Sequence, residues 1–171
     1  KNVHFQPNGE KVNVLYYDAM ELLDGSRNGA KKAEKLLMRA LELDKHNVQT
    51  YIGLVHVYGS LEDKKEAAGC IKTAYDETVK KFPRWPRRME WGFIDNRAYM
   101  RAMQYRADLY VDEGEKEKAI ALYRLLLKLN PNDNQGDRYT ISVVYAGIRG
   151  KEINEIYDEG NEKQNLDKLE S

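Results

Sequence analysis

Apolar residues recur at spacings of three and four along much of the chain, with Lys, Glu and Arg at most of the positions between them. Two such runs are Leu36, Leu37, Ala40, Leu41 and Leu43, and Leu122, Tyr123, Leu126, Leu127 and Leu129. This spacing is that of an amphipathic α-helix, which turns one face to a core and the other to water. Period-two alternation between hairpin turns does not occur, apart from the ambiguous Val12-Asn13-Val14. The pattern predicts an all-α fold.

Short glycine-containing breaks separate the periodic runs. They lie at residues 24–29, 59–63, 112–114 and 147–150. Glycine accepts the left-handed conformation with which many helices end. The helices between the breaks have roughly 12 to 16 residues and the turns roughly two to six, a length that joins antiparallel neighbours. We therefore expect a series of antiparallel helical hairpins.

The hairpins are related by an internal repeat. Spacings of 7, 9 and 7 residues separate the key positions of two of them: Tyr51, Tyr58, Ala67 and Ala74, and Met103, Tyr110, Ala119 and Leu126. A step of 34 residues backwards from Ala67 and Ala74 leads to Ala33 and Ala40. Two helices in a repeat of 34 residues are typical of a helical solenoid.

The third hairpin resembles the tetratricopeptide repeat. The matching positions are Met103, Ala107, Tyr110, Gly114, Ala119, Tyr123, Leu126 and Pro131. The resemblance implies an α-solenoid, a right-handed superhelix of antiparallel hairpins, as one domain over residues 1–171. We place its repeats at about 12–46, 47–82 and 99–132, with a degenerate repeat at 133–160 and a polar tail at 161–171.

The sequence departs from the family pattern at three places. Arg106 stands where the family has Leu, and Glu62 stands where it has Gly. The second and third repeats are 52 residues apart instead of 34, which predicts an 18-residue insertion at about 80–98. That segment contains both tryptophans, Trp85 and Trp91, and we expect them to fill the space between the two repeats.

The charges are balanced overall but concentrated locally. The chain has 28 basic and 28 acidic residues, whereas residues 80–106 contain eight basic residues and only two acidic ones. Basic side chains interleaved with tryptophan can bind single-stranded nucleic acid. The alternative, which overall neutrality favours, is that these arginines are solvated or paired with the acidic residues of 151–171.

Residues that could perform catalysis are sparse. His4, His46 and His56 are scattered, and Cys70 sits on an amphipathic helix as a buried structural thiol would. The sequence contains neither metal-ligand spacings nor a phosphate-binding glycine loop. We predict that the protein is not an enzyme and uses no cofactor or metal. A single cysteine favours a cytoplasmic location.

The resemblance also implies a binding surface, because the first helices of successive tetratricopeptide hairpins line a groove that binds peptides. Six residues fall at or beside groove positions: His56, Arg97, Arg101, Gln104, Asp108 and Arg138. Guanidinium groups suit carboxylates. We predict a protein-interaction scaffold for an acidic or carboxylate-bearing peptide, with nucleic-acid binding through the insertion as the alternative. These arginines could equally be solvated or paired within the chain.

Overall fold

Seven α-helices and no strand occupy residues 7–147, the part of the chain that this computed structural model describes. They are α1 (Pro7–Glu21), α2 (Arg27–Leu43), α3 (Val48–Ser60), α4 (Lys64–Lys81), α5 (Ile94–Asp112), α6 (Lys116–Leu129) and α7 (Asp137–Ala146). The all-α prediction is confirmed. The second helix of the predicted fourth hairpin and the polar tail 161–171 lie outside the described residues.

Each helix packs mainly against its neighbours in the chain. The pairs α1 and α2, α3 and α4, and α5 and α6 form hairpins, and α7 packs on α6. The first helices of successive hairpins also touch, α1 with α3 and α3 with α5. Contacts restricted to adjacent units are what a helical-repeat architecture requires.

Side chains from the turns cap three of the helices. The side-chain oxygens of Ser26, Asn47 and Asp63 accept hydrogen bonds from the backbone N–H groups of Gly29, Thr50 and Glu66, at 2.9, 2.9 and 3.1 Å. Each bond satisfies a donor that the first turn of a helix leaves free. The polar residues in the breaks therefore define where α2, α3 and α4 begin.

The turns inside the second and third hairpins use different residues for the same backbone conformation. In the third hairpin the left-handed position is Gly114, with φ of 79°, and in the second it is Glu62, with φ of 59°. Only glycine adopts this region without a steric cost from its side chain. The departure at Glu62 therefore leaves local backbone strain in the α3–α4 turn.

Small residues allow close approach of the helices in the third hairpin. Ala107 of α5 and Ala119 of α6 have no exposed surface. Ala67 occupies the position in the second hairpin that corresponds to Ala119, and a repeat of identical packing would bury it equally; it is instead partly exposed. The second hairpin is packed less tightly at the start of α4.

The connection between α4 and α5, residues 82–93, has no helix and is held to the third hairpin. The N–H of Met89 donates to the carbonyl oxygen of Leu129 at 2.8 Å, and the Met89 side chain is buried in the third-hairpin core. Trp85 stacks on Phe82 with ring centroids 6.1 Å apart. Both Trp85 and Trp91 are half-buried against this core. The connection is therefore an ordered part of the fold.

Candidate functional site

The first helices of three hairpins enclose a depression of about 200 Å³, which we call the groove. It lies where α1, α3 and α5 run side by side. Its lining combines aromatic and aliphatic side chains with two arginines: Tyr16, Tyr17, Gln49, Ile52, Ile94, Arg97, Ala98 and Arg101. The groove can thus hold an apolar group and an anionic group close together.

Arg97 and Arg101 are positioned by the same tryptophan. Their guanidinium carbons lie 5.4 and 5.6 Å from the centroid of the Trp91 ring, within the range of a cation–π interaction. Nε of Arg97 also donates to the carbonyl oxygen of Trp91 at 2.9 Å. Neither arginine forms an ion pair with a carboxylate of residues 7–147. The connection that contributes Trp91 therefore fixes two cations in the groove that no described carboxylate neutralises; the acidic residues of 151–171, the alternative partners considered from the sequence, lie outside the described residues.

His56 of α3 is close enough to Arg101 to feel its charge, and it contacts α5. Its ring meets the ring of Tyr105 edge to face, with centroids 6.1 Å apart. Desolvation by the surrounding protein lowers the pKa of His56, and the positive charge of Arg101 lowers it further. The imidazole is therefore neutral at neutral pH, and its contribution to the site is a polar ring and not a third positive charge.

Gln104 is engaged with the segment that precedes α7. Its Nε2 donates to the carbonyl oxygen of Gln135 at 3.1 Å, and its Oε1 accepts from Nε2 of Gln135 at 2.8 Å. A longer contact of 3.5 Å joins Gln104 Nε2 to Asp137 Oδ1. Gln104 therefore ties the third hairpin to α7 instead of presenting a free amide.

Asp108 and Arg138 also have partners inside the protein. The hydroxyl of Tyr123 donates to Oδ1 of Asp108 in a short hydrogen bond. Arg138 donates to the carbonyl oxygen of Pro131 at 2.7 Å and lies 3.9 Å from Asp133. Asp108 remains solvent-exposed as a residue, whereas Arg138 is engaged with the α6–α7 loop.

Of the six residues predicted from the sequence, the structure brings His56, Arg97 and Arg101 into one neighbourhood. Sequence reasoning missed Tyr16 and Tyr17, because the 34-residue step leads back only to Ala33 and Ala40, which lie on the second helix of the first hairpin. A clue was available in the sequence, since α1 repeats the aromatic residues of the other first helices.

A larger cleft of about 630 Å³ lies at the ends of the helices, between the α2–α3 turn, α4 and the start of α5. Its central charges neutralise one another: Glu77 accepts from Lys80 Nζ at 2.7 Å and from His46 Nδ1 at 2.8 Å. Hydrogen bonds from Lys80 and then from His46 lower the pKa of Glu77. The groove, where no carboxylate of the described part of the chain pairs with the arginines, is the better binding candidate despite its smaller volume.

Two further kinds of site were sought within residues 7–147. No group of three or more His, Cys, Asp and Glu side chains is arranged there to hold a metal ion. None of the described helices has the length and apolar character needed to cross a membrane.

Comparison with known proteins identifies the repeat. A family model described as tetratricopeptide repeat matches residues 100–133, which comprise most of α5, all of α6 and the turn that follows. No curated protein and no solved structure matches the chain. Tetratricopeptide-repeat proteins are typically scaffolds for protein–protein interaction and typically have no enzymatic activity. The chain therefore contains a tetratricopeptide repeat at residues 100–133, embedded in a series of stacked helical hairpins.

Proposed function

We propose that the protein binds an acidic or carboxylate-bearing peptide segment of a partner protein in the groove. The observation that supports this proposal is the pair Arg97 and Arg101, held over Trp91 with no carboxylate of the described residues beside them. A guanidinium group that is positioned but not neutralised gains most from a carboxylate, because it can form paired charge-assisted hydrogen bonds.

The remaining groove surface suits an apolar side chain next to the carboxylate. Tyr17 and Ile94 line the groove and are 52 and 61% exposed, and Phe93, which precedes Ile94, is 64% exposed. Large apolar side chains grouped at a depression commonly mark a binding surface. The groove therefore favours a segment in which an acidic residue is flanked by an apolar one.

The nucleic-acid alternative has weaker support from the connection 82–93. Single-strand binding needs aromatic faces that are free to stack on bases. Trp85 is half-buried and stacked on Phe82, while Arg97 and Arg101 cover Trp91. Arg84, Arg87 and Arg88 are exposed beside them, but charge without stacking surfaces gives only salt-sensitive, unspecific attraction.

The experiment is a selection of binding peptides from a random 12-residue display library against the immobilised protein. Enriched peptides are then synthesised with blocked termini and titrated by fluorescence anisotropy. We expect enrichment of Asp or Glu next to an apolar residue. The double substitution of Arg97 and Arg101 by Ala should weaken such peptides by about 1.5 to 3 kcal/mol, the loss expected for hydrogen bonds to a charged group.

The matched control is the double substitution of Arg87 and Arg88 by Ala, which removes the same charge from exposed positions outside the groove. It should leave peptide affinity unchanged at physiological salt. Equal weakening in both variants would indicate nonspecific electrostatic attraction, and selected peptides without acidic residues would contradict the proposal. Circular dichroism verifies that both variants keep their helix content.

A further inference from the structure

The face of α5 that contains Arg97 and Arg101 changes sign along its length. Arg97, Arg101, Asp108 and Asp112 follow one another at spacings of 4, 7 and 4 residues, which places them within roughly 60° of each other around the helix. The α5 stripe, as we call these four residues, is positive in the first half of the helix and negative in the second. Along the helix Tyr105 lies between the two halves; desolvation raises its pKa, the charge of Arg101 lowers it and the charge of Asp108 raises it.

This order of charges does not stabilise the helix. A helix favours acidic groups near its N-terminus and basic groups near its C-terminus, and α5 has no basic residue in its last turn. Residues four apart on a helix face each other, so Arg97 and Arg101 repel, as do Asp108 and Asp112. The stability of α5 itself therefore does not explain the order of charges in the stripe.

The negative half lacks a cation just as the positive half lacks an anion. Within the described residues Asp112 has no ion pair, and the partner of Asp108 is the neutral hydroxyl of Tyr123. The nearby basic groups are engaged elsewhere, Arg106 with Glu113 and Arg138 with the α6–α7 loop.

The pKa values agree with this missing partner. Desolvation raises the pKa of Asp108, the hydrogen bond from Tyr123 lowers it, and the charge of Asp112 raises it; the net shift is upward. Behind it, burial together with Asp133 and Asp108 raises the pKa of Asp137 to about 7. Within residues 7–147 no cation compensates the negative half of the α5 stripe, and a basic group of a partner would lower its electrostatic cost.

We propose that the groove, together with the α5 stripe that continues beyond it, recognises a segment of a partner protein with two opposite charges. An acidic residue of the segment would pair with Arg97 and Arg101, and a Lys or Arg would pair with Asp108 and Asp112. The inference rests on the proposed function and adds the basic residue and its position. The stripe separates the opposite charges by about 10 to 22 Å along the helix axis. An extended chain covers that distance in about three to seven residues. Because the two halves attract opposite charges, the segment binds in one orientation only.

The same display selection tests this inference. We expect the enriched peptides to contain Lys or Arg three to seven positions from the acidic residue. Selection against the variant Asp112→Lys should retain the acidic residue and lose the basic one. That variant should fold, because Lys suits the last turn of a helix better than Asp. Asp76→Lys is the matched control, with the same charge change on an exposed position of α4.

Titrations then use two synthetic peptides that differ only in having Lys or Ala at the basic position. The Lys peptide should bind the wild type at least tenfold more tightly, and this advantage should disappear with Asp112→Lys but persist with Asp76→Lys. Equal binding of the two peptides to the wild type would overturn the inference and leave the proposed function standing. Enriched peptides with no acidic residue, or no enrichment at all, would overturn both.

Discussion

The guanidinium carbon of Arg106 lies 3.6 Å from the centroid of the Tyr110 ring, one helical turn further along α5. The same guanidinium group forms an ion pair of 3.0 Å with Glu113, which caps the end of the helix and also pairs with Lys72 of α4. At the position where the family has Leu, the arginine side chain therefore packs on the Tyr110 ring and also forms an ion pair with Glu113. Only 13% of the Arg106 side chain is exposed.

Replacing Arg106 by Ala should destabilise the fold. The variant loses the cation–π contact, the packing of the aliphatic stem and one of the two ion pairs of Glu113, which together we expect to cost about 1 to 2 kcal/mol. The free energy of unfolding is measured by urea denaturation followed by circular dichroism. Arg87→Ala, at an exposed position, should change it by less than about 0.5 kcal/mol. Equal stability of the two variants would show that Arg106 is merely a surface residue.

Replacing Glu62 by Gly should stabilise the protein. Glu62 holds φ of 59°, a conformation that costs a residue with a side chain about 1 to 2 kcal/mol. Glycine removes this cost but loses more chain entropy on folding, so we expect a net gain of about 0.5 to 1 kcal/mol. The reciprocal change Gly114→Ala, at φ of 79°, should destabilise by a similar amount. A loss of stability in Glu62→Gly would mean that contacts of the Glu62 side chain outweigh the strain.

Asp137 should make stability depend on pH. It is 3% exposed, and burial together with Asp133 and Asp108 raises its pKa from 3.8 to about 7. The native state therefore binds the proton more tightly than the unfolded chain. The resulting stabilisation is complete below about pH 4 and is lost as the pH rises through about 7.

Asn at position 137 cannot ionise. Relative to the wild type, Asp137→Asn should gain about 2 to 4 kcal/mol between pH 4.5 and pH 8, in proportion to the difference between the two pKa values. Urea unfolding of both proteins at four pH values measures this difference. Because both proteins contain the other carboxylates, the contributions of those groups cancel in the comparison. If the difference in free energy of unfolding between Asp137→Asn and the wild type did not change with pH, the conclusion that Asp137 is buried with a raised pKa would be wrong.

Cys70 should react slowly in the folded protein. Burial, and then the charge of Glu66, raises the pKa of its thiol from 9.0 to about 11. Since the thiolate is the reactive form, alkylation at pH 8 should be about a hundredfold slower than in the chain unfolded in urea. The rate is followed by mass spectrometry with iodoacetamide. Equal rates before and after unfolding would place the thiol at the surface.

The sequence predicted the helical hairpins well, because their evidence is local and repeated. Spacings of three and four, capping residues such as Ser26 and Asp63, and the matched positions from Met103 to Pro131 each point to the same architecture. The match at residues 100–133 confirms the family resemblance.

The partners of the candidate residues could not be predicted in the same way. That Gln104 bonds to Gln135, and that Asp108 accepts from Tyr123, depends on how α5 meets α6 and the segment before α7. Trp91 was expected to fill space between repeats, and its contact with two arginines follows from the path of the non-helical connection. Periodicity places residues on a helix face but does not reveal which neighbour engages them.

The groove is lined by helices from three successive hairpins, and this arrangement affects how the protein unfolds. In a stacked array a terminal unit can unfold while the others remain intact, since each is held only by its neighbours. The first and third hairpins pack mainly against the second one between them. A ligand that touches both Tyr17 and Arg101 would bridge the outer two directly. Occupancy of the groove would thereby convert stepwise fraying into a single cooperative transition, with the greatest gain in protease resistance at α1 and α2.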